Sequence, residues 1–178
     1  ELLEKRHNAP VISVLKKNFS ALQSGVVWAD LNFKSVNHFF NPLTKKGLWK
    51  FMPAIYIFVF YLSKAKQYAK ERNGLNTFFY LGAATHILQD MTVPHHVCGC
   101  LFNGHKEFEG WVQSHLDSFS FLTSDSWPAC HNPIDLLTSN AEAAAVFMSV
   151  VDDSSAENMY YHTACILLLL AQTSSAAF

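Results

Sequence analysis

Imidazole and carboxylate side chains recur in this chain at spacings that could hold a metal ion. His86 and Asp90 stand four residues apart in an apolar helical pattern, so both project from one face about one turn apart. Pro94 breaks that pattern and His96 follows, giving His86-x3-Asp90-x5-His96. His105-x3-Glu109 repeats the one-turn pair on the next helical stretch, and Asp30 and His38 lie upstream. Nitrogen and carboxylate oxygen without thiolate suit Zn2+ in a catalytic site, where one coordination position is left for water. A lone His-x3-Asp pair is common and usually marks a capped or exposed helix. Two such pairs flanking a Pro-His turn, with another Asp and His before them, are hard to obtain from scattered surface histidines.

Helices must position these groups. Val11, Leu15, Phe19 and Leu22 recur at helical spacing after Pro10, and Ser24-Gly25 reads as that helix's stop. Residues 25–46 have no sustained period, contain Pro42 and read as a long ordered loop carrying Asp30 and His38. Helices are expected over about 52–72, 75–91, 104–122, 133–150 and 156–178. Asn73-Gly74 closes the first of these, and Asp152-Asp153-Ser154-Ser155 separates the last two. Alternating strand patterns and repeats are absent, so the expected class is all-α, a multi-helix bundle. Residues 1–6 read as the last turns of a helix, and 176–178 fall within an apolar helical pattern, as in a fragment cut at both ends.

Size and composition narrow the function. At 178 residues the expectation is a single domain, burying roughly 70% of the surface its unfolded chain exposes. Half the residues are hydrophobic, which excludes disorder. A net charge of −1 argues against nucleic-acid binding by bulk basic charge. The longest apolar run, 51–62, is too short to span a bilayer and contains Pro53. Four cysteines are too few for a disulfide scaffold; Cys98 or Cys100 could pair with Cys130, while Cys165 reads as a buried free thiol.

The run His86-Ile-Leu-Gln-Asp90-Met-Thr-Val-Pro94-His-His96 resembles the signature of the bacterial zinc-dependent phospholipases C, His-Tyr-x-Gly-Asp followed by Pro-x-His. Phe79 to Ala84 is similar to the family's entry into this helix, and His38-Phe39-Phe40-Asn41-Pro42 to its His-Phe-Tyr-Asp-Pro segment. The resemblance runs along essentially the whole chain in order of elements, and the same zinc fold occurs in single-strand-specific nucleases. It implies one zinc held by Asp30, His38, His86 and Asp90, and a second by His96, His105 and Glu109. A third would need an N-terminal Trp and a first-helix His that this sequence lacks; His7 is a poor substitute. It implies further that Asp30 acts on the attacking water, that Asp90 bridges two metals, and that a phospholipid met at a membrane surface is cleaved outside the cytoplasm. Gln89 stands where the signature has Gly, and Leu31 and Ser35 stand where choline-specific members carry aromatic residues, so a cation–π cage is not expected.

The remaining candidates are bland. His95 reads as a solvent-facing turn residue or a support for a ligand, His115 and His131 as surface residues, and His162 as a core histidine. Trp49, Trp111 and Trp127 read as packing residues. Ser114 and Ser118 have no adjacent base to make a nucleophile. Two other functions remain open from sequence: a nuclease or 3′-nucleotidase on the same zinc core, and a non-catalytic, metal-stabilised helical module.

Overall fold

The structure, a computed structural model, describes residues 2–119, 132–152, 155 and 157–178. Among them every regular element is helical: α1 (Leu2–Arg6), α2 (Ala9–Lys17), α3 (Phe19–Asp30), α4 (Ala54–Lys70), α5 (Gly74–Asp90), α6 (Pro94–Cys98), α7 (His105–Ser114), α8 (Pro133–Ala145) and α9 (Glu157–Ala177). Short 3-10 turns at Asn32–Asn37, Leu116–Phe119 and Met148–Val150 complete the set. The all-α expectation is met. None of the described helices is long and apolar enough to cross a membrane.

Side-chain amides start several helices where the sequence calls for them. Asn8 Oδ1 accepts from Val11 N–H, Asn73 Oδ1 from Asn76 N–H and Asn132 Oδ1 from Ile134 N–H, each satisfying an amide that has no partner inside its helix. The core runs through the middle of the bundle, with Phe40, Phe58, Ile87, Leu88, Met91 and Leu137 fully buried. α5 is the central helix, packed against α3 on one side and α4 on another, with α9 across it.

The α3–α5 crossing corrects the expected stop at Ser24-Gly25. The α2 segment ends at Asn18, and α3 then continues through Gly25 to Asp30. Gly25 is there for proximity: a Cβ built on it would lie 1.8 Å from the Phe79 carbonyl oxygen. Gly82 mirrors it from α5, where a Cβ would lie 2.0 Å from the Leu22 carbonyl oxygen. Two backbones thus meet without side chains between them. The expected loop over 25–46 is therefore helix to Asp30, a 3-10 turn, and irregular chain only from His38. The expected helix over 104–122 ends at Ser114, and the one over 133–150 at Ala145.

Replacing Gly25 or Gly82 with Ala should destabilise the fold by ~3 kcal/mol, a fall of roughly 10 °C in Tm. Gly110→Ala, in α7 where an added Cβ meets nothing within 4 Å, should be neutral or slightly stabilising. Calorimetric Tm values at fixed zinc concentration check both, and unchanged stability in the Gly25 and Gly82 variants would refute the close-approach account.

Candidate metal centre

All the metal-ligating candidates except Glu109, which lies mid-helix in α7, are delivered at or near the end of an element. Asp30 closes α3, and His38 follows the 3-10 turn. His86 and Asp90 share the last turns of α5. After Met91 the chain turns, with Thr92 Oγ1 donating to Gln89 O, and Pro94 opens α6 as its first-turn residue. That short helix carries His96, and α7 carries His105 and Glu109 one turn apart. The His38 segment is tied to α6 by Phe40 N–H donating to His96 O, at 3.1 Å.

Two groups result. Asp30, His38 and His86 converge in one, and His96, His105 and Glu109 in the other. Asp90 lies between: its Oδ2 is 2.8 Å from His38 Nδ1, 3.3 Å from His86 Nε2 and 3.9 Å from His96 Nδ1. Asp30 Oδ1 is 4.0 Å from His38 Nδ1 and 3.9 Å from His86 Nε2. In the second group Glu109 Oε1 is 3.0 Å from His105 Nε2 and 3.5 Å from His96 Nε2, and the two imidazole nitrogens are 3.0 Å apart. Two ligands of a tetrahedral zinc at ~2.1 Å stand about 3.4 Å from each other. The second group is near that spacing as it stands, and the first is within small side-chain adjustments of it.

The polar atoms themselves favour a cation. Both ring nitrogens of His38, Nε2 of His86 and Oδ2 of Asp90 are buried and lack a well-directed hydrogen bond. Buried polar atoms almost always find a partner, and a cluster of lone pairs without one is what a missing positive ion leaves. In the second group the tautomer is fixed by a carbonyl. His96 Nδ1 lies 3.2 Å from His38 O, which can only accept, so Nδ1 carries a proton and Nε2 is the nitrogen that faces His105 and Glu109. The residues present therefore fit a zinc ion in both groups by donor type and spacing, and in the first group by unsatisfied valence as well.

Charge is distributed accordingly. Burial favours a neutral Asp90 carboxyl, but the imidazoles of His96, His86 and His38 outweigh it and hold the group below the usual carboxylate range. Burial likewise works against the charged form of Glu109, yet His105 and His96 bring it down to about 2. Burial disfavours the imidazoliums of His86 and His96, but the carboxylates facing them raise both above the ordinary value.

Several neighbouring residues depart from expectation. His95 is fully buried, not solvent-facing: its Nε2–H donates to Asn103 O at 3.0 Å, and its ring stacks on His105 at 5.0 Å between centroids. Burial and the His105 imidazole lower its pKa, which keeps it neutral. Sequence reasoning could have found this role, because a five-residue helix wedged beside the site turns both His95 and His96 inward. His162 is exposed, not core, and Trp49 is exposed, not packed inside. Ser114 does have a base beside it, with His115 Nδ1 at 3.0 Å, but that nitrogen donates to Trp111 O at 2.8 Å and cannot take the serine's proton. Cys98, Cys100 and Cys165 are free thiols. Trp127, Cys130 and His131 lie outside the described residues. His7 directs Nε2 to Ala176 O at 2.7 Å, tying α1 to α9.

Buried imidazoles thus meet carboxylates within an all-α bundle, and the sequence says which class of protein this is. Residues 1–160 match the family described as zinc dependent phospholipase C, and the chain belongs to that family. Among solved structures it is similar to Clostridium perfringens alpha-toxin from an avian strain, with a TM-score of 0.82 and 21% identity. It is also similar to the alpha toxin from Clostridium absonum, with a TM-score of 0.78 and 20% identity. These matches cover 98% and 99% of this chain but 58% and 56% of the toxin chains, so it spans less than three fifths of either. At that identity the likeness is one of fold. No curated protein matches the sequence.

Metal-free protein should show opposed pH responses. His86 and His96, raised above 6.5, contribute stability that is complete below that value and is lost as pH rises through their folded values. Asp90 and Glu109, depressed from 3.8 and 4.5, contribute stability that is present above those values and lost as pH falls, for Glu109 towards about 2. The chelated protein should thus be most stable between about pH 4.5 and 6.5. Zinc affinity should instead rise with pH through the elevated histidine values, with proton release on binding. Thermal melts across pH and zinc titrations in two buffers of different ionisation enthalpy measure the two trends.

Proposed function

We propose that residues 1–178 form the catalytic domain of an exported zinc-dependent phospholipase C that cleaves the glycerol–phosphate bond of phospholipids. The observation that carries this reading is the convergence of orphaned nitrogen and oxygen atoms on Asp90 Oδ2, beside a second His–His–Glu group. One zinc would be held by Asp30, His38, His86 and Asp90, and a second by His96, His105 and Glu109. Family membership and the alpha-toxin fold support phospholipid as the substrate class.

Zinc bound at these groups would supply positive charge against the phosphoryl oxygens and lower the pKa of water towards about 7. The chain's own residues do the rest. Asp30 is the most exposed carboxylate of the site and sits at its open edge, where it can take a proton from the attacking water. The water oxygen then attacks phosphorus, the bond to the glycerol oxygen breaks, and the proton taken up by Asp30 returns through solvent to that departing oxygen, giving diacylglycerol and a phosphorylated head group. Asp90, buried and ionised, fixes the separation of His38, His86 and His96. His95, stacked on His105, holds that ring in place. Leu31 and Ser35 present no aromatic face to a quaternary ammonium, so choline lipids should have no advantage over ethanolamine lipids.

The test compares the zinc-loaded chain on mixed phospholipid vesicles and on single-stranded DNA. Release of phosphorylated head groups that stops on chelation, with DNA left intact, is expected; the reverse pattern would replace this reading with the nuclease one. Asp90→Asn should lose zinc and activity together, whereas Asp30→Asn should keep most of its zinc and lose about 100-fold in turnover. An Asp30 variant that loses only zinc would remove its proposed role as proton acceptor.

A further inference from the structure

The chain between Asp30 and α4 has a composition unlike the rest of the molecule. Residues 31–52 contain Lys34, Lys45, Lys46 and Lys50 and no carboxylate, in a chain whose net charge is −1. The same stretch displays Leu31, Phe33, Leu43, Trp49, Phe51 and Met52 to solvent. Phe33 is 88% exposed, Leu43 89% and Trp49 66%, values at which a large apolar side chain gains almost nothing from the fold. His38 lies in the middle of this stretch and Asp30 immediately precedes it, so the surface borders the metal centre.

Its most exposed apolar residue is held rigidly. Asn41 Oδ1 accepts from Leu43 N–H at 3.0 Å and Thr44 N–H at 2.9 Å. Lys45 N–H donates to Asn41 O and Asn41 N–H donates to Lys46 O, each at 2.8 Å. Leu43 therefore stands on a turn closed by four hydrogen bonds, and burying it elsewhere would require little further ordering of the backbone. Lys45 and Lys46 flank the same turn and are exposed.

We propose that residues 31–52 dock the protein on an anionic phospholipid bilayer, with Leu43 and Trp49 entering the interface and the lysines meeting the head groups. The inference rests on the lipid reading of the metal centre and adds where the surface is met and which charge it carries. Trp is a residue of bilayer interfaces, and each lysine near an anionic surface adds attraction that salt screens. Single-stranded nucleic acid could also meet lysines and aromatic rings, but it stacks on rings and gains little from exposed Leu31, Leu43 and Met52. The aliphatic members of the patch thus favour lipid.

The experiment uses the full zinc-loaded chain with vesicles of phosphatidylcholine alone and of phosphatidylcholine mixed with phosphatidylserine, read by co-sedimentation. A monomeric short-chain phospholipid provides a separate assay of the metal centre. Binding should favour the mixed vesicles and weaken with salt. Leu43→Asp should weaken it about tenfold or more, and each of Lys45→Gln, Lys46→Gln and Lys50→Gln about fivefold. All four variants should retain zinc and hydrolysis of the monomeric lipid. Equal binding to both vesicle types, or binding unchanged in the Leu43 and lysine variants, would overturn the proposal and leave the phospholipase reading intact. So would binding to a single-stranded oligonucleotide in place of vesicles, or a dimer that Leu43→Asp dissociates. Variant-sensitive vesicle binding with no hydrolysis of either lipid form would sustain the docking surface and overturn the phospholipase reading.

Discussion

Asp90 is a nearly buried carboxylate, and a buried charge is tolerated only when it is closely paired. Three imidazoles from three different parts of the chain answer it: His86 from the same helix, His38 from the segment after α3, and His96 from α6. The His38 segment is far from the other two in sequence, and His96 lies beyond the turn that ends α5, so the requirement to surround one carboxylate fixes how these parts assemble. His96 then turns its other nitrogen to His105 and Glu109, which brings in α7. The arrangement is incomplete as a set of hydrogen bonds, because His38 and His86 bring lone pairs that no protein donor meets. A cation would complete it, and that demand would link the fold to its chemistry.

The bundle serves this requirement through one close crossing. α5 carries His86 and Asp90 near its C-terminal end and must present them towards Asp30 at the end of α3. Side chains between those helices would push Asp30 away, since packed helix axes normally lie 8–10 Å apart according to the size of the residues at the contact. Gly25 and Gly82 let backbone meet backbone, and Asp30, little more than one turn beyond Gly25, is carried in with α3. Trp28, on the same turn, packs against Phe79 and Tyr80 and fixes the rotation of the helix.

This crossing also explains what the sequence disclosed and what it concealed. α4, α5 and α9 are legible because they are long, periodic and bounded by recognisable breaks, and the pairs His86–Asp90 and His105–Glu109 are legible because helical spacing brings i,i+4 neighbours together. Gly25 misled because a glycine that ends a helix and one that admits another backbone look the same in one sequence. The 3-10 turn over Asn32–Asn37 has no period to reveal it. Sequence does not decide between the two readings of His95 and places His162 in the core, since burial of a single histidine depends on what packs over it: a stacked His105 ring for the one, open solvent for the other.

The two groups share an asymmetry that neither spacing nor composition would disclose. Each pairs a carboxylate on the outside, Asp30 or Glu109, with two imidazoles set further in. An imidazole can be held in the interior as a neutral ring whose N–H donates to a backbone carbonyl, as His95 does with Asn103 O, without the desolvation cost of a charge. A carboxylate cannot, and at these positions water solvates Asp30 and Glu109 when no ion is present. A cation approaching from solvent would therefore meet negative charge before it met the imidazoles. Asp90 is the exception, a carboxylate kept inside, and it lies where imidazoles of both groups come within reach of one oxygen. The same placement that makes Asp30 cheap to solvate without metal leaves it on the solvent side of the group, as its proposed role as proton acceptor requires.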